Sequence, residues 1–427
     1  MLRIPLLSAT AAVVLAASSF SSARQAPAPD AAAPAAAQPA GQRGGGRGGA
    51  PVVSPAVAAD GRVTFRLRAP GAKEVLVSVA GRRLPLQKDE AGLWSLTTDA
   101  LAPDIYPYAF VVDGATMNDP ANRQVQTSFD SFQSMAVVPG PKPWLPAAGV
   151  PRGAIARHAF RSAFANDERD FFVYTPPGYD RRRGQAYPVL YLLHGLGDDA
   201  ERWLTGGGGA HHMLDNLIAA GQAVPMVVVS PLGYGTSRGP AGGRQPENII
   251  GYEKILFDEV MPVVNREYNV SRNREERAIA GLSMGGAQAL YVGLNHLDTF
   301  AWIGAFSSAP MVWPAIAGAP APGAARGGAA RGGAARGGGR GAAPSAIDPA
   351  AFDKTFPGLD QRANARLRML WIVCGTGDSL IGANRQFKDW VRSKGVQFTE
   401  LEVPDAGHVW PLWRQNVADM VPRLFKR

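Results

Sequence analysis

Two periodicities divide this chain. Between about Ser54 and Val138, short runs such as "RVTFRLRAP", "EVLVSVAG", "LWSLTTDAL" and "YPYAFVVDG" alternate apolar and polar positions. Successive side chains of a strand point to opposite faces, so period-two runs broken by Gly, Pro and Asp predict half-buried antiparallel strands stacked as a β-sandwich. From about Arg161 to Arg427 the apolar runs are unbroken: "YPVLYLLHG", "PMVVVSPLG", "RAIAGLS", "FAWIGAF", "RMLWIVCGTGD" and "VQFTELEVPDAGH". They alternate with helical stretches such as Tyr252 to Tyr268 and Ala287 to Leu297. A strand that is apolar on both faces must be covered on both faces, which predicts an α/β region with a mostly parallel sheet between helices.

Three stretches lack either pattern. Residues 1–23 carry Arg3, an apolar run from Ile4 to about Ala17, and Ser21-Ser22-Ala23, the layout of a signal peptide cleaved near Ala23. Residues 24–53 are almost entirely Ala, Pro and Gly and cannot bury enough apolar surface to offset the entropy of ordering, which predicts a linker. Residues 315–345 repeat a five-residue unit around arginine, which predicts a disordered insertion at a loop tip. The expected organisation is therefore a β-sandwich over 54–140, a connector over 141–160 and an α/β domain over 161–427. No later segment has the 18 or so uncharged apolar residues of a membrane span, so the expectation is a soluble protein, secreted or periplasmic.

The net charge of +9 suggests a nucleic-acid partner only until it is located. Residues 1–55 carry +3 and residues 315–345 carry +4, leaving +2 for the folded parts. Nucleic acid is not expected as a partner. The single cysteine, Cys374, lies in an apolar strand and excludes an intrachain disulfide. His211-His212 is an adjacent pair, whereas metal-binding helices space their histidines by four, so neither a metal nor a cofactor is expected.

The candidate chemistry lies in "GLSMGG", Gly281 to Gly286, directly after the apolar run Ala278-Ile279-Ala280. A strand, a tight turn and a helix around G-x-S-x-G form the setting of a nucleophile elbow, where side chains two before and two after the serine would collide. A serine hydroxyl needs a base, and of six histidines only His408, in the loop "PDAGHVW" past the last apolar strand, follows the serine in the expected order of serine, acid, histidine. Asp378, after the strand "LWIVCGTGD", is the preferred acid; Asp405, three residues before His408, is the competitor, and Asp353 and Asp360 are weaker. Oxyanion donors are expected from the backbone N–H of Met284, next to the serine, and of Leu196, in the His-Gly turn of "YLLHGLGDD". His194 is expected to hold that turn, Asp198 and Asp199 to cap a following helix, and Glu259 to make a buried hydrogen bond. Trp203 and Trp410 are candidate substrate contacts; Trp94, Tyr106 and Tyr108 serve equally as core or as a binding platform.

Taken together, "YPVLYLLHG", "GLSMGG", "GTGD" and "GHVWPLW" resemble the esterase D-like branch of the α/β hydrolases. That branch includes the feruloyl and acetylxylan esterases of carbohydrate esterase family 1, the enterochelin esterases and the mycolyltransferases. The resemblance covers about Arg161 to Arg427 and implies Ser283, Asp378 and His408 as a triad with the Leu196 and Met284 amides as oxyanion hole. The preceding "DGRVTFRLRAPGAKEVLVSVAG" and "IYPYAFVVDG" look like an early-set, immunoglobulin-like domain related to carbohydrate-binding family 48, a pairing that implies an exported esterase acting on acylated plant carbohydrate. A siderophore esterase, or a non-catalytic carbohydrate-binding protein on the same fold, are the alternatives.

Overall fold

Alternation and unbroken apolarity each produce the sheet type they predict. The computed structural model describes residues 51–129, 132–241, 243, 246–308 and 347–426. The leader at 1–23, most of the linker at 24–53 and the insertion at 315–345 lie outside the described residues.

In the first half, two antiparallel sheets lie over one core. One pairs Ala56–Val57, Val63–Arg68, Leu93–Thr97 and Gln87–Lys88 in that order. The other runs Arg82–Pro85, Val75–Val79, Asp104–Val112, Phe132–Val138 and Val125–Thr127, with Ala115–Met117 beside Asp104–Val112. Val63, Phe65, Leu67 and Trp94 from the first sheet meet Val75, Val77, Tyr108, Phe110 and Val138 from the second. Every second residue of Val63–Leu67 and of Val75–Val79 is buried, as a two-residue repeat with one face inward requires. Trp94 and Tyr108 are therefore core residues.

The second half is an eight-stranded sheet. Its strands are β1 (Ala154–Arg161), β2 (Glu168–Thr175), β3 (Val189–Leu193), β4 (Val227–Pro231), β5 (Arg277–Leu282), β6 (Trp302–Phe306), β7 (Met369–Gly375) and β8 (Thr399–Val403). Their order is β1-β2-β4-β3-β5-β6-β7-β8, antiparallel through β1, β2 and β4 and parallel from β4 onward. β3, β4, β5 and β6 are buried at every position, the mark of a sheet covered on both faces. Cys374 is in β7, fully buried. β1 takes up the last third of the stretch read from sequence as connector. It is an edge strand with exposed polar positions, so it lacks the apolar run by which its neighbours are recognised.

The helical stretch read from Tyr252 begins earlier, at Pro246, and runs to Glu267 with a π-turn at Leu256–Val260. Pro262 has no N–H and its ring crowds the preceding turn, and the wider π-turn just before it eases both faults. The helix read from Ala287 starts at Met284, directly on the turn. Ile105 and Met135 of the six-stranded sheet belong to the same buried cluster as Trp203, Leu204 and Trp413 of the α/β part. Residues from Val52 on thus form one compact unit, and this shared seam brings the first half beside the site.

Candidate active site

Ser283 follows β5 with φ 51° and ψ −113°, a conformation L side chains rarely adopt, and the helix Met284–Asn295 starts one residue later. A Cβ on Gly281 would lie 2.5 Å from the Gly285 carbonyl, and a Cβ on Gly285 would lie 2.5 Å from the His194 carbonyl oxygen. Neither approach is possible for real atoms, so glycine on both sides is a steric condition of the turn. The Ser283 N–H donates to Phe306 O at 2.8 Å, anchoring the strained residue to β6.

Parallel strands place the loops after β5, β7 and β8 at one edge of the sheet. There His408 Nδ1 lies 2.8 Å from Asp378 Oδ2. The loops carrying the two residues touch: Gly377 N–H donates to Ala406 O at 3.0 Å, and a Cβ at Gly375 would lie 1.9 Å from that same oxygen. Asp378 is 2% exposed and takes a second bond at Oδ1 from Leu380 N–H at 2.9 Å. Burial pushes its carboxyl up, but the hydrogen bonds from His408 and Leu380, with Ser307 adding, outweigh this and hold it below the usual carboxylate value. Asp405 is exposed, and its N–H donates to Thr376 Oγ1 at 2.9 Å, which fixes the loop.

Met284 is the first residue of its helix, so its N–H is among the donors that a helix leaves unpaired. Leu196 lies in the turn after β3, its N–H without an acceptor among the described residues. A Cβ on Gly195 would come 3.6 Å from Ser283 Cβ, so this turn lies against the serine. His194, fully buried behind it, bonds Gly195 O through Nδ1 at 2.8 Å and accepts Gly233 N–H at Nε2, also at 2.8 Å. Burial pulls this imidazole down to about 4, so it is neutral and Nε2 is free to accept. An unfolded histidine titrates near 6.5, so between those values the unfolded chain takes a proton that the folded chain refuses. Stability carried by His194 is complete above about pH 6.5 and declines as pH falls toward 4. Chemical denaturation at pH 7 and pH 5 is expected to differ by about 2 kcal/mol for this group, a difference that shrinks in His194→Gln.

Ser283 and His408 open on one cleft of about 650 Å³. Leu282, Gly195, Leu196 and Asp198 also line it, with Val409, Trp410, Pro411 and Trp413 beyond the histidine. Trp410 is braced by guanidinium groups, Arg202 at 4.3 Å and Arg414 at 5.7 Å from its ring centre. Trp203, read from sequence as a substrate contact, is not in the lining. It is fully buried behind Trp410, edge-on at 5.0 Å, and its Nε1 donates to Leu193 O at 2.8 Å. Asp198 and Asp199 cap no helix either: turns follow to residue 208, and Asp198 instead pairs with Arg202 at 3.1 Å. Glu259, half-buried, accepts the N–H of the exposed Phe164 at 2.9 Å.

Of the rest of the lining, only Tyr106, read from sequence as core or binding platform, was singled out in the sequence. Ala80, Gly81, Asp104, Ile105, Tyr106 and Pro107, all from the six-stranded sheet and its turn, line the same cleft. Arg414 seals this junction, donating to Asp104 Oδ1 at 2.9 Å and to Gly207 O at 2.9 Å while 1% exposed. Trp144 Nε1 also donates to Asp104 Oδ1, at 2.9 Å. Asp104 and Arg414 stand 310 positions apart, beyond any local spacing rule.

The chain is similar to known proteins to differing extents. The endo-1,4-beta-xylanase/feruloyl esterase of Xylanibacter ruminicola is 32% identical over 266 residues, 59% of this chain and 36% of that protein. The chain thus spans about a third of the length of that curated relative. A ferulic acid esterase structure from Anaeromyces mucronatus matches with a TM-score of 0.52 at 24% identity, over 67% of this chain and 96% of that one. The enterochelin esterase structure from Shigella flexneri matches with a TM-score of 0.57 at 18% identity, over 86% of this chain and 92% of that one. At those identities the two structures establish the fold, an α/β-hydrolase-like sheet. The Esterase family model matches residues 162–424, and with the greater part of its length so accounted for, this chain belongs to the Esterase family.

Proposed function

We propose that this chain is an exported serine esterase that hydrolyses acyl esters, feruloyl or acetyl, on plant polysaccharide or oligosaccharide. The observation that carries the reading is the 2.8 Å His408–Asp378 contact on the same cleft as Ser283, which sits in a glycine-flanked turn. Ser283 Oγ attacks the ester carbonyl while His408 Nε2 takes its proton. Asp378 holds Nδ1–H and steadies the imidazolium. The tetrahedral oxyanion accepts hydrogen bonds from the Leu196 and Met284 amides, and the helix starting at Met284 adds the favourable end of its dipole. On collapse the alcohol leaves with the His408 proton, and the acyl group stays on Ser283. Water, deprotonated by His408, then attacks the acyl-enzyme and releases the acid, restoring the serine.

Residues 54–140 serve in this reading as an immunoglobulin-like β-sandwich, and 161–427 as the catalytic domain. Two sheets over one core support that division, as does the 86% coverage by the Shigella flexneri structure, which exceeds what the α/β half alone could supply. Tyr106 and Pro107 then make the sandwich a wall of the substrate cleft, with Trp410 as an aromatic contact in the same cleft. The carbohydrate ester is supported by the Xylanibacter ruminicola relative. Export rests on residues 1–23, and cell fractionation with N-terminal sequencing of the mature protein checks it; among the described residues no helix is long and apolar enough to cross a membrane.

A siderophore esterase is the second reading, favoured by the longer fold match to the Shigella flexneri enzyme. The charges lining the cleft speak against it: Asp104 is paired with Arg414, and Asp198 with Arg202, so no unpaired cation among the described lining residues awaits an anionic catecholate. Steady-state assays on methyl ferulate, p-nitrophenyl acetate and a catecholate trilactone separate the two. Turnover of the first two is expected; hydrolysis confined to the trilactone would transfer the assignment to the second reading.

A further inference from the structure

The turn that presents Leu196 is tied down at the main-chain groups around that amide. Gly195 O takes bonds from His194 Nδ1–H at 2.8 Å and Asp198 N–H at 3.2 Å. Gly197 N–H donates to the Tyr234 hydroxyl at 2.8 Å, and the same hydroxyl donates to Asp198 O at 2.9 Å. Gly197 O accepts the Phe129 N–H, from the two-sheet half, at 2.8 Å. Leu196 N–H lies between these bonded groups with no acceptor among the described residues.

Such a turn needs the ties. Gly195 and Gly197 leave it soft, and Gly197, at φ +89°, uses backbone freedom that nothing within the turn restrains. Tyr234 itself is rigidly mounted. It is fully buried, its carbonyl takes the Arg169 guanidinium, and its ring stands edge-on to Phe129 at 5.5 Å. On either side Gly233 N–H bonds His194 and Gly235 N–H bonds Asn248 Oδ1 at 2.7 Å, while Gln288, on the helix that follows Ser283, donates to Gly233 O at 2.5 Å.

We propose that Tyr234 is a positioning residue for the oxyanion donor: its hydroxyl, bonded both ways across Gly197 and Asp198, holds the Leu196 amide where negative charge develops, and Phe129 completes the brace from the two-sheet half. This rests on the serine-esterase reading above. An oxyanion donor acts through preorganisation, so slack in its mounting weakens the transition state far more than the ground state.

The test is Tyr234→Phe, which removes one oxygen and keeps the packed ring. Per active site titrated with a fluorophosphonate, kcat on p-nitrophenyl acetate is expected to fall roughly 10- to 100-fold, within the loss known for removing one oxyanion donor, with KM within about twofold. Affinity for a boronic acid that forms a tetrahedral serine adduct is expected to fall by a similar factor. A purely structural role would lower the titratable fraction and leave kcat per site unchanged. Phe129→Ala, at a half-exposed ring, leaves its N–H in place and is expected to lower kcat severalfold in the same manner, which keeps the idea open to test if Tyr234→Phe does not fold. Wild-type kcat per site and boronate affinity in whichever variant folds would overturn the positioning role. Ser283→Ala run alongside separates the failures: if it stays active the esterase reading is lost, and if it is inactive while Tyr234→Phe behaves as wild type, only the brace is lost.

Discussion

Ser283→Ala is expected to lower kcat on methyl ferulate by about a million-fold, the scale of losing the nucleophile from a serine–histidine–acid set. The change removes one oxygen. The backbone at φ 51° is as strained for alanine as for serine, the two glycines still clear the turn, and Ser283 N–H still reaches Phe306 O. Folding stability should therefore stay within about 0.5 kcal/mol of the parent. What persists above the uncatalysed rate comes from the amides of Leu196 and Met284 and from substrate binding in the cleft, so a residual acceleration of about a thousandfold is expected. Mutant and parent proteins turning over at the same rate would remove Ser283 from the reaction.

Asp378→Asn should cost about ten-thousandfold in kcat while leaving the fold intact. Asparagine keeps an acceptor for Leu380 N–H, but its amide nitrogen then faces His408 Nδ1, where the carboxylate oxygen now lies at 2.8 Å. The ring is driven to the tautomer with its proton on Nε2, which cannot take a proton from Ser283. The exposed Asp405 supplies the control: Asp405→Asn should remain within about twofold of the parent, because its main-chain bond to Thr376 survives. Equal losses in the two variants would reopen the choice of acid. Stability offers a separate readout. The folded Asp378 carboxyl titrates below its ordinary value, so its contribution is present above the unfolded value near 3.9 and is lost as pH falls through the lower folded one. Acid unfolding below about pH 4 should accordingly be shallower in Asp378→Asn than in the parent.

Sequence and structure agree most closely where one constraint is local. Gly281 and Gly285 are legible beside Ser283 because a tight turn forbids a Cβ within a few residues of itself. The unbroken apolar runs of β3 to β7 are legible because two-sided burial acts on every position of a strand. β1 escaped because an edge strand needs no such run, and Ala154–Arg161, with no fully buried position, mixes apolar residues with Arg and His. Asp198 and Asp199 look like caps wherever a helix follows, and here turns follow, with Arg202 paired to Asp198. Trp203 and Trp410 are the same residue type, each within ten positions of a candidate site residue. Only packing turns one into a support and leaves the other on the cleft.

The amino-acid order by itself determined the sheet types, the strained serine and the succession of serine, acid and histidine, because each follows from sterics or from burial acting along a short stretch. Tertiary structure alone decided that Tyr106 and Pro107 line the same cleft as Trp410, that Arg414 reaches Asp104, and that Phe129 touches the turn holding Leu196. Contacts between residues hundreds of positions apart leave no periodicity in the chain, since many partners would satisfy each side chain equally until the fold has chosen which surfaces meet.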